Sequence, residues 1–239
     1  MLLSTLSFAV MNVFIKKVSN IPAMEVVFFR CAVSMLMCFY IIWQDKADWK
    51  GSNRKLLLAR GIFGTIALYT CCMSLAERAL GTAVPIQYLS PIFTTIIAIF
   101  WLQEKVKPLQ WLFFLLSFAG VLVIKGFDSR ISLSMLAVGI TSALASGFAY
   151  NMVRSLKEKE HTMVVVLHFQ LIGAATGLVF TLFNWKTPQG WEWFYLIMIG
   201  VCTQLGQVNL TKALQSEKMA NVTIFNYLGI LYALGFGFI

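Results

Sequence analysis

The chain has 239 residues, of which 59% are hydrophobic and only 12% are charged, and its formal net charge is +9. Soluble domains contain about 45–50% apolar and about 25% charged residues, so this composition argues against an ordinary soluble enzyme and excludes a disordered chain. A helix that crosses a bilayer needs roughly 20 apolar residues, so the length accommodates about nine or ten such helices and little else. The basic excess then fits the cytoplasmic loops of a membrane protein better than a nucleic-acid surface.

Long apolar runs bounded by charges or by proline and glycine predict nine membrane helices. In chain order, the predicted spans are residues 1–15, 24–43, 56–76, 82–102, 109–125, 133–153, 162–183, 193–213 and 221–239. Strand-like alternation does not recur along the chain, so the predicted fold class is an all-α, polytopic membrane helix bundle. The loops between the spans are short and carry most of the charge.

Basic residues are unevenly divided between the two sets of loops. Eleven lysines and arginines lie on the side of the N-terminus, against six on the other side. Because basic residues near membrane spans are retained inside, this predicts a cytoplasmic N-terminus for a multi-pass protein of the cytoplasmic (inner) membrane.

An internal repeat relates the two halves of the chain. One constant shift, which pairs Asn12 with Asn151 and Gly61 with Gly200, aligns the first four predicted spans with the last four without gaps. We call this shift the repeat offset. Because each repeat would hold an odd number of spans, the halves would face opposite ways in the membrane, an arrangement found in many secondary transporters.

The repeat also predicts how the chain is divided. The first repeat, with five helices, is predicted over residues 1–125, and the second over residues 133–239. The fifth span, residues 109–125, should recur beyond the last residue, near 248–264. We therefore expect a five-plus-five inverted repeat in which nine helices are present and the tenth is missing.

Several segments of the chain are similar to a known family. They are Phe28-Phe29-Arg30 in the second span, Arg60-Gly61-Ile62-Phe63-Gly64 in the third, residues 82–93 (TAVPIQYLSPIF) in the fourth, and residues 101–105 (WLQEK) followed by 120–126 (GVLVIKG). Together they resemble the EamA-type transporters of the drug/metabolite transporter superfamily. The resemblance implies a ten-helix, inverted-repeat carrier of small metabolites with both termini in the cytoplasm, and it does not identify the metabolite.

Two helix faces carry polar side chains into the membrane. Such groups are costly in hydrocarbon and normally face a bundle interior or a wet cavity. Thr65 and Tyr69 are one turn apart in the third span, and Gln204 and Gln207 share a face of the eighth. The repeat superposes Thr65 on Gln204, so both faces are candidates for one substrate cavity, with helix–helix hydrogen bonds as the alternative.

The fourth span carries a polar stretch around Pro91. A proline deep in a helix leaves the carbonyl of Gln87 without its usual donor, and Ser90 continues the same face. The repeat places Asn226 at the position of Gln87. This predicts a substrate contact or a gate, with a plain proline kink as the alternative.

Three further residues complete the candidate substrate site. Arg30 is the only cation predicted well inside a span, where it either snorkels outward or binds an anionic group. His168 is either a proton relay or a packing histidine with its hydrogen bonds satisfied. Tyr150 belongs to a polar stripe of the sixth span that includes Ser142 and Ser146 and that could face the same cavity.

The predicted function is a secondary carrier that moves a small metabolite or drug-like solute across the membrane by alternating access. The sequence lacks a GxxxxGK[ST] loop, and its histidines and cysteines are scattered, so no cofactor, metal or catalytic site is expected. The expected partners are a small solute and the lipid bilayer, without nucleic acid, and a homodimer is left open. The alternatives are an integral-membrane lipid enzyme and a non-transporting scaffold.

Overall fold

The computed structural model describes residues 1–76, 89–125 and 133–237. In these ranges the chain forms α-helices, one 3-10 turn and no strand, which confirms the predicted all-α class. In chain order, the helices are α1 (Leu2–Lys17), α2 (Ala23–Gln44), α3 (Arg54–Ala76), α4 (Ser90–Trp101), α5 (Pro108–Lys125), α6 (Leu133–Ser155), α7 (Thr162–Thr181), α8 (Glu192–Ser216), α9 (Met219–Thr223) and α10 (Leu228–Gly237).

Seven of the nine predicted spans match one helix each, with ends that agree to within three residues. The predicted start of the fourth span, residues 82–88, lies outside the described residues, and in the described part of the chain α4 begins at Ser90. Pro91 therefore occupies the first turn of α4, where its missing N–H removes no helical hydrogen bond. The ninth span is divided into α9, a 3-10 turn over Ile224–Tyr227, and α10.

The surface of the bundle is strongly apolar. Large hydrophobic side chains stand out from it, among them Trp43, Phe100 and Leu182, which are 79%, 81% and 72% exposed. Three of the described helices, α2, α7 and α8, are long and apolar enough to cross a membrane. Since exposed apolar side chains are suited to lipid rather than to water, the outer surface fits a protein embedded in a bilayer.

The centre of the bundle is the close crossing of α2 and α7. A Cβ atom placed on Gly173 would lie 2.9 Å from Sγ of Cys31, and one placed on Gly177 would lie 2.9 Å from the backbone Cα of Phe28. These two glycines are therefore the residues that allow α7 to approach α2, which is the usual role of a GxxxG pattern in membrane helices.

The helix pairs that pack together recur under the repeat offset. Each packed pair in one set has a counterpart shifted by the repeat offset. The pair α1 and α8 corresponds to α6 and α3, and the pair α2 and α8 corresponds to α7 and α3. The pair α1 and α10 corresponds to α6 and α4. Individual contacts follow the same rule, because Gly61 faces Ile172 while Gly200 faces Val33. The offset that carries Gly61 to Gly200 also carries Val33 to Ile172. The contacts of the described residues thus relate the helices of one half to those of the other.

Candidate functional site

A hydrogen-bonded polar cluster lies in the core where α2, α7 and α8 meet. The hydroxyl of Ser34 donates to Oε1 of Gln204 at 2.6 Å and accepts from Nε2 of Gln170 at 2.8 Å. The thiol of Cys38 donates to the same Gln204 oxygen at 3.3 Å. Ser34 and Gln170 are fully buried and Gln204 is 2% exposed. We call Ser34, Gln170 and Gln204 the midpoint cluster.

The midpoint cluster takes its name from its place along the helices. Ser34 is the twelfth of the 22 residues of α2, Gln170 the ninth of 20 in α7, and Gln204 the thirteenth of 25 in α8. At a rise of about 1.5 Å per residue, each lies about 12–18 Å from the start of its helix, near the middle of a hydrocarbon core about 30 Å thick. Polar groups at that depth are costly unless they serve packing or function.

The cluster and its surroundings retain unused hydrogen-bonding capacity. Oε1 of Gln170, Oε1 of Gln207 and Oγ1 of Thr65 are buried and have no hydrogen-bond partner among the described residues. Buried polar atoms in native proteins almost always have a partner, so an unpaired group at this depth needs an explanation. A polar ligand that reaches the core would find two amide oxygens that accept hydrogen bonds and one hydroxyl that can donate or accept.

Arg30 extends the polar face of α2 by one turn. Arg30, Ser34 and Cys38 follow each other at intervals of four residues, which places them on one side of the helix. Arg30 is 7% exposed, and its Nε has no partner in the described part of the chain. Glu25, the carboxylate nearest in sequence, is fully buried but makes no ion pair with Arg30.

The prediction that Arg30 is the only cation well inside a span is wrong, because Arg60 is also buried. Arg60 is the seventh residue of α3, is 3% exposed, and places its guanidinium carbon 4.5 Å from the centroid of the Phe169 ring. A buried arginine inside a membrane helix is costly, and the cost on insertion scales reaches about 2.5–3.5 kcal/mol at the helix centre. The sequence underestimates its depth, because Arg60 lies only four residues inside the predicted start of the third span, at residue 56.

The residues predicted on α3 and α6 do not all face the cluster. Tyr69 is half-buried and stacks on Phe180 of α7, with ring centroids 5.2 Å apart. Thr65 is buried in the core. Tyr150 is half-buried on α6 and is an electrostatic neighbour of Arg60.

The other predicted residues are spread through the bundle. Nδ1 of His168 lies 2.9 Å from the carbonyl oxygen of Val164, so this histidine is satisfied within its own helix. Ser90 is buried at the start of α4, with no partner for its hydroxyl among the described residues. Asn226 is half-buried in the 3-10 turn, and Gln87 lies outside the described ranges.

Of the ten predicted site residues, only Gln204 belongs to the midpoint cluster, and its partners Ser34 and Gln170 are not among the ten. A signal for Ser34 exists in the four-residue spacing from Arg30 to Cys38, which marks a polar side on an otherwise apolar helix. Gln170 carries no comparable signal, because its neighbours on α7 are apolar or small.

A buried carboxylate ties loops together at the end of the bundle where α2 begins. Oε2 of Glu25 accepts a hydrogen bond of 3.0 Å from the backbone N–H of Lys186, which precedes α8. The ammonium group of Lys186 in turn donates to the carbonyl oxygen of Asn20 at 2.9 Å. The loop before α8 is thereby fastened over the start of α2.

A second carboxylate ties helices together at the opposite end, where α8 finishes. Oε1 of Glu104 lies 3.2 Å from Nε of Arg154, and its Oε2 accepts from the backbone N–H of Met219 at 2.9 Å. Arg154 also donates to the carbonyl oxygen of Gln215 at 3.0 Å. The midpoint cluster therefore lies between two sets of carboxylate contacts, those of Glu25 at one end of the bundle and those of Glu104 at the other.

Comparisons with known proteins agree with this arrangement of apolar helices around a polar core. Residues 1–126 match the EamA-like transporter family. A crystal structure that shares 14% sequence identity superimposes with a TM-score of 0.86 over 99% of this chain and 86% of that one, which shows that the two chains share a fold.

Three curated relatives are named as transporters or solute carriers. The pseudopaline exporter CntI of Pseudomonas aeruginosa is 29% identical over 240 residues, which are 99% of this chain and 84% of the relative. Solute carrier family 35 member G1 of Mus musculus is 27% identical, over 97% of this chain and 68% of its own length. A riboflavin transporter of Vibrio cholerae is 34% identical over 52% of this chain and 42% of its own length. The chain belongs to the EamA-like transporter family and is a membrane transporter of small solutes.

Proposed function

We propose that this protein is a secondary carrier that binds its solute at the midpoint cluster and works by alternating access. The observation that carries the proposal is the pair of hydrogen bonds joining Ser34, Gln170 and Gln204 at the middle of three helices. Substrate sites of transporters built from inverted repeats lie near the bilayer midplane, between the repeats. Here α2 comes from one half of the chain, and α7 and α8 come from the other.

We propose two inverted repeats, residues 1–125 and residues 133–239, as the moving parts. The recurrence of packed helix pairs under the repeat offset supports this division, as do the matching contacts of Gly61 and Gly200. The excess of basic loop residues on the N-terminal side supports a cytoplasmic N-terminus in a bacterial-type inner membrane.

Because the midpoint cluster is buried, a solute can reach it only after the helices move. The cluster is buried from both ends, so access requires that the helices separate at one end at a time. Opening at one end would release Lys186 from Glu25, and opening at the other would release Arg154 from Glu104. A solute in the core would then supply partners for the unpaired oxygens of Gln170 and Gln207.

We also propose that transport proceeds without chemical change of the solute. The curated relatives are named as transporters, which supports a carrier over a lipid enzyme or a scaffold. A homodimer is a further proposal, since contact between two copies would cover part of the exposed apolar surface, and mass photometry in nanodiscs would distinguish it from a monomer. The bilayer and the solute are otherwise the only partners that the function needs.

The proposed function is tested by efflux from proteoliposomes. Vesicles that contain the purified protein are loaded with an extract of small metabolites, and the efflux of each solute is followed by mass spectrometry. Efflux is measured first because one relative is named as an exporter. We expect at least one solute to leave at least tenfold faster than from liposomes that carry the same extract but no protein. The efflux of that solute should be slower with Gln204→Leu than with the wild-type protein. Leu205→Ala, a change at a half-exposed neighbour on α8, serves as the control.

A further inference from the structure

We propose that the transported solute is an organic anion and that Arg60 is the residue that binds its negative charge. The inference rests on the carrier function proposed above and adds the chemical class of the solute. It concerns a side chain that lies outside the midpoint cluster, on the neighbouring helix α3.

Arg60 is a buried charge without a counter-charge in the described part of the chain. The residue is 3% exposed, and its Nε has no hydrogen-bond partner among the described residues. None of the ion pairs formed by the described residues includes it. Charged side chains inside membrane proteins normally pair with each other or mark the path of a substrate or ion.

The guanidinium group extends toward the middle of the bundle rather than toward the near end of its helix. A Cβ atom placed on Gly64 would collide with Nη1 of Arg60 and would lie 2.8 Å from Cδ2 of Phe169. Gly64 is the eleventh of the 23 residues of α3, so the positive charge lies near the level of the midpoint cluster. An arginine that served only to anchor the helix at the interface would extend the other way, toward the headgroups.

Phe169 contacts only the flat face of the Arg60 guanidinium. The aromatic ring lies over the guanidinium, 4.5 Å from its carbon atom, and stabilises it through a cation–π contact. The N–H groups of an arginine lie in the plane of the guanidinium and at its edge, where Tyr150 is an electrostatic neighbour and where Nε is buried without an acceptor among the described residues. A carboxylate or phosphate group presents two oxygens with the spacing that this edge binds.

The surroundings of Arg60 suit a solute with an anionic group and a polar or aromatic body. Thr65 follows Gly64, and its hydroxyl is buried without a described partner. Phe169 precedes Gln170, whose Oε1 is also unpaired among the described residues. Because Phe169 and Gln170 are consecutive on α7, an anion bound at Arg60 would lie near the level of the midpoint cluster, with the Phe169 ring as an apolar wall.

The test divides the metabolite extract by charge. The extract is separated by anion-exchange chromatography into an anionic fraction and a remainder, and proteoliposomes are loaded with each. We expect fast efflux from the anionic fraction only, a loss of at least tenfold with Arg60→Gln, and a smaller loss with Arg60→Lys. Lys212→Gln, which removes a positive charge from the exposed side of α8, should leave the efflux unchanged.

Gly64→Ala provides a second variant that keeps the charge but removes the space for it. We expect the same loss of anion efflux with this variant, while its elution from size exclusion stays that of the wild type. Fast efflux from the remainder alone, or anion efflux that survives both Arg60→Gln and Gly64→Ala, would overturn the role of Arg60 and leave the carrier standing. If the wild-type protein releases no solute from the anionic fraction and none from the remainder, the carrier function itself would be contradicted.

Discussion

Ser34 and Gln204 are joined by a hydrogen bond of 2.6 Å although they lie 170 positions apart in the chain. The bond connects α2 to α8 at the middle of both helices, where both side chains are buried. Polar contacts at this depth hold the helices together, and the same groups can be offered to a solute when the helices separate. The cluster therefore links the stability of the bundle to its transport cycle.

The first prediction is that Ser34 and Gln204 are energetically coupled. In a double-mutant cycle with Ser34→Ala and Gln204→Leu, we expect a coupling free energy between about 0.6 kcal/mol, the average measured for hydrogen bonds between membrane helices, and about 1.7 kcal/mol, the maximum measured. The free energies come from unfolding in mixed micelles. A parallel cycle of Ser34→Ala with Leu205→Ala should give a coupling close to zero, and equal values for the two cycles would contradict the prediction.

The second prediction concerns the crossing of α2 and α7. Gly177→Ala would place a methyl group 2.9 Å from backbone atoms of Phe28, which cannot move as a side chain can. We expect a loss of about 1–3 kcal/mol in unfolding free energy, the usual cost of overpacking a core. Gly235→Ala is the matched control, because a Cβ atom there meets no atom within 4 Å. A stable Gly177→Ala variant would show that the helices can move apart at no cost.

These packing contacts explain why the helices were easier to predict than the site. Helix positions follow from runs of apolar residues, so the sequence located α2 and α7 to within two residues at each end. The partners of Gln204 depend instead on how three helices cross, and that geometry is set by small residues such as Gly173 and Gly177. No pattern within one helix records which side chain of another helix it meets.

Arg60 shows a second limit of sequence reasoning. The residue lies near the predicted start of its span, where an arginine normally reaches back to the interface. Its direction toward Gly64 depends on the missing Cβ of that glycine and on the ring of Phe169, which belongs to α7 in the other half of the chain. For Arg30, which lies well inside an apolar run, the sequence left open whether the side chain snorkels outward, and the structure buries it.

The third prediction is that Glu104 keeps one end of the bundle closed. Its carboxylate binds both Arg154 and the backbone N–H of Met219, and the side chains of Arg154 and Glu104 are only 15% and 11% exposed. With Glu104→Gln we expect alkylation of the buried thiol of Cys38 to become at least several-fold faster, because the end of the bundle nearer to Cys38 opens more often. Labelling with N-ethylmaleimide followed by peptide mass spectrometry measures this rate.

Glu158→Gln is the control for this experiment. Glu158 forms an ion pair of 3.3 Å with Lys157 near the same end, but its side chain is 81% exposed. Exposed ion pairs contribute about 0–1 kcal/mol, so this variant should leave the labelling rate of Cys38 unchanged. Equal rates for wild-type protein and Glu104→Gln would show that Glu104 does not control this end.

The fourth prediction is the corresponding effect at the opposite end. Glu25→Leu removes the acceptor for the backbone N–H of Lys186 and leaves that group without its partner. We expect faster alkylation of Cys31, the fully buried thiol nearer to this end, with little change at Cys38. Lys186→Ala, which keeps the backbone donor and loses only the bond to Asn20, should have a smaller effect. Equal acceleration at both thiols would indicate general unfolding rather than opening of one end.

The most direct test of the midpoint cluster as the solute site is counterflow in proteoliposomes. A solute identified by the efflux screen is placed inside the vesicles, and uptake of its labelled form is compared between wild-type protein and Ser34→Ala, Gln170→Leu and Gln204→Leu. We predict at least a tenfold decrease in counterflow for each variant, with unchanged counterflow for Leu205→Ala. Counterflow at the wild-type rate in all three cluster variants would contradict the assignment of the site.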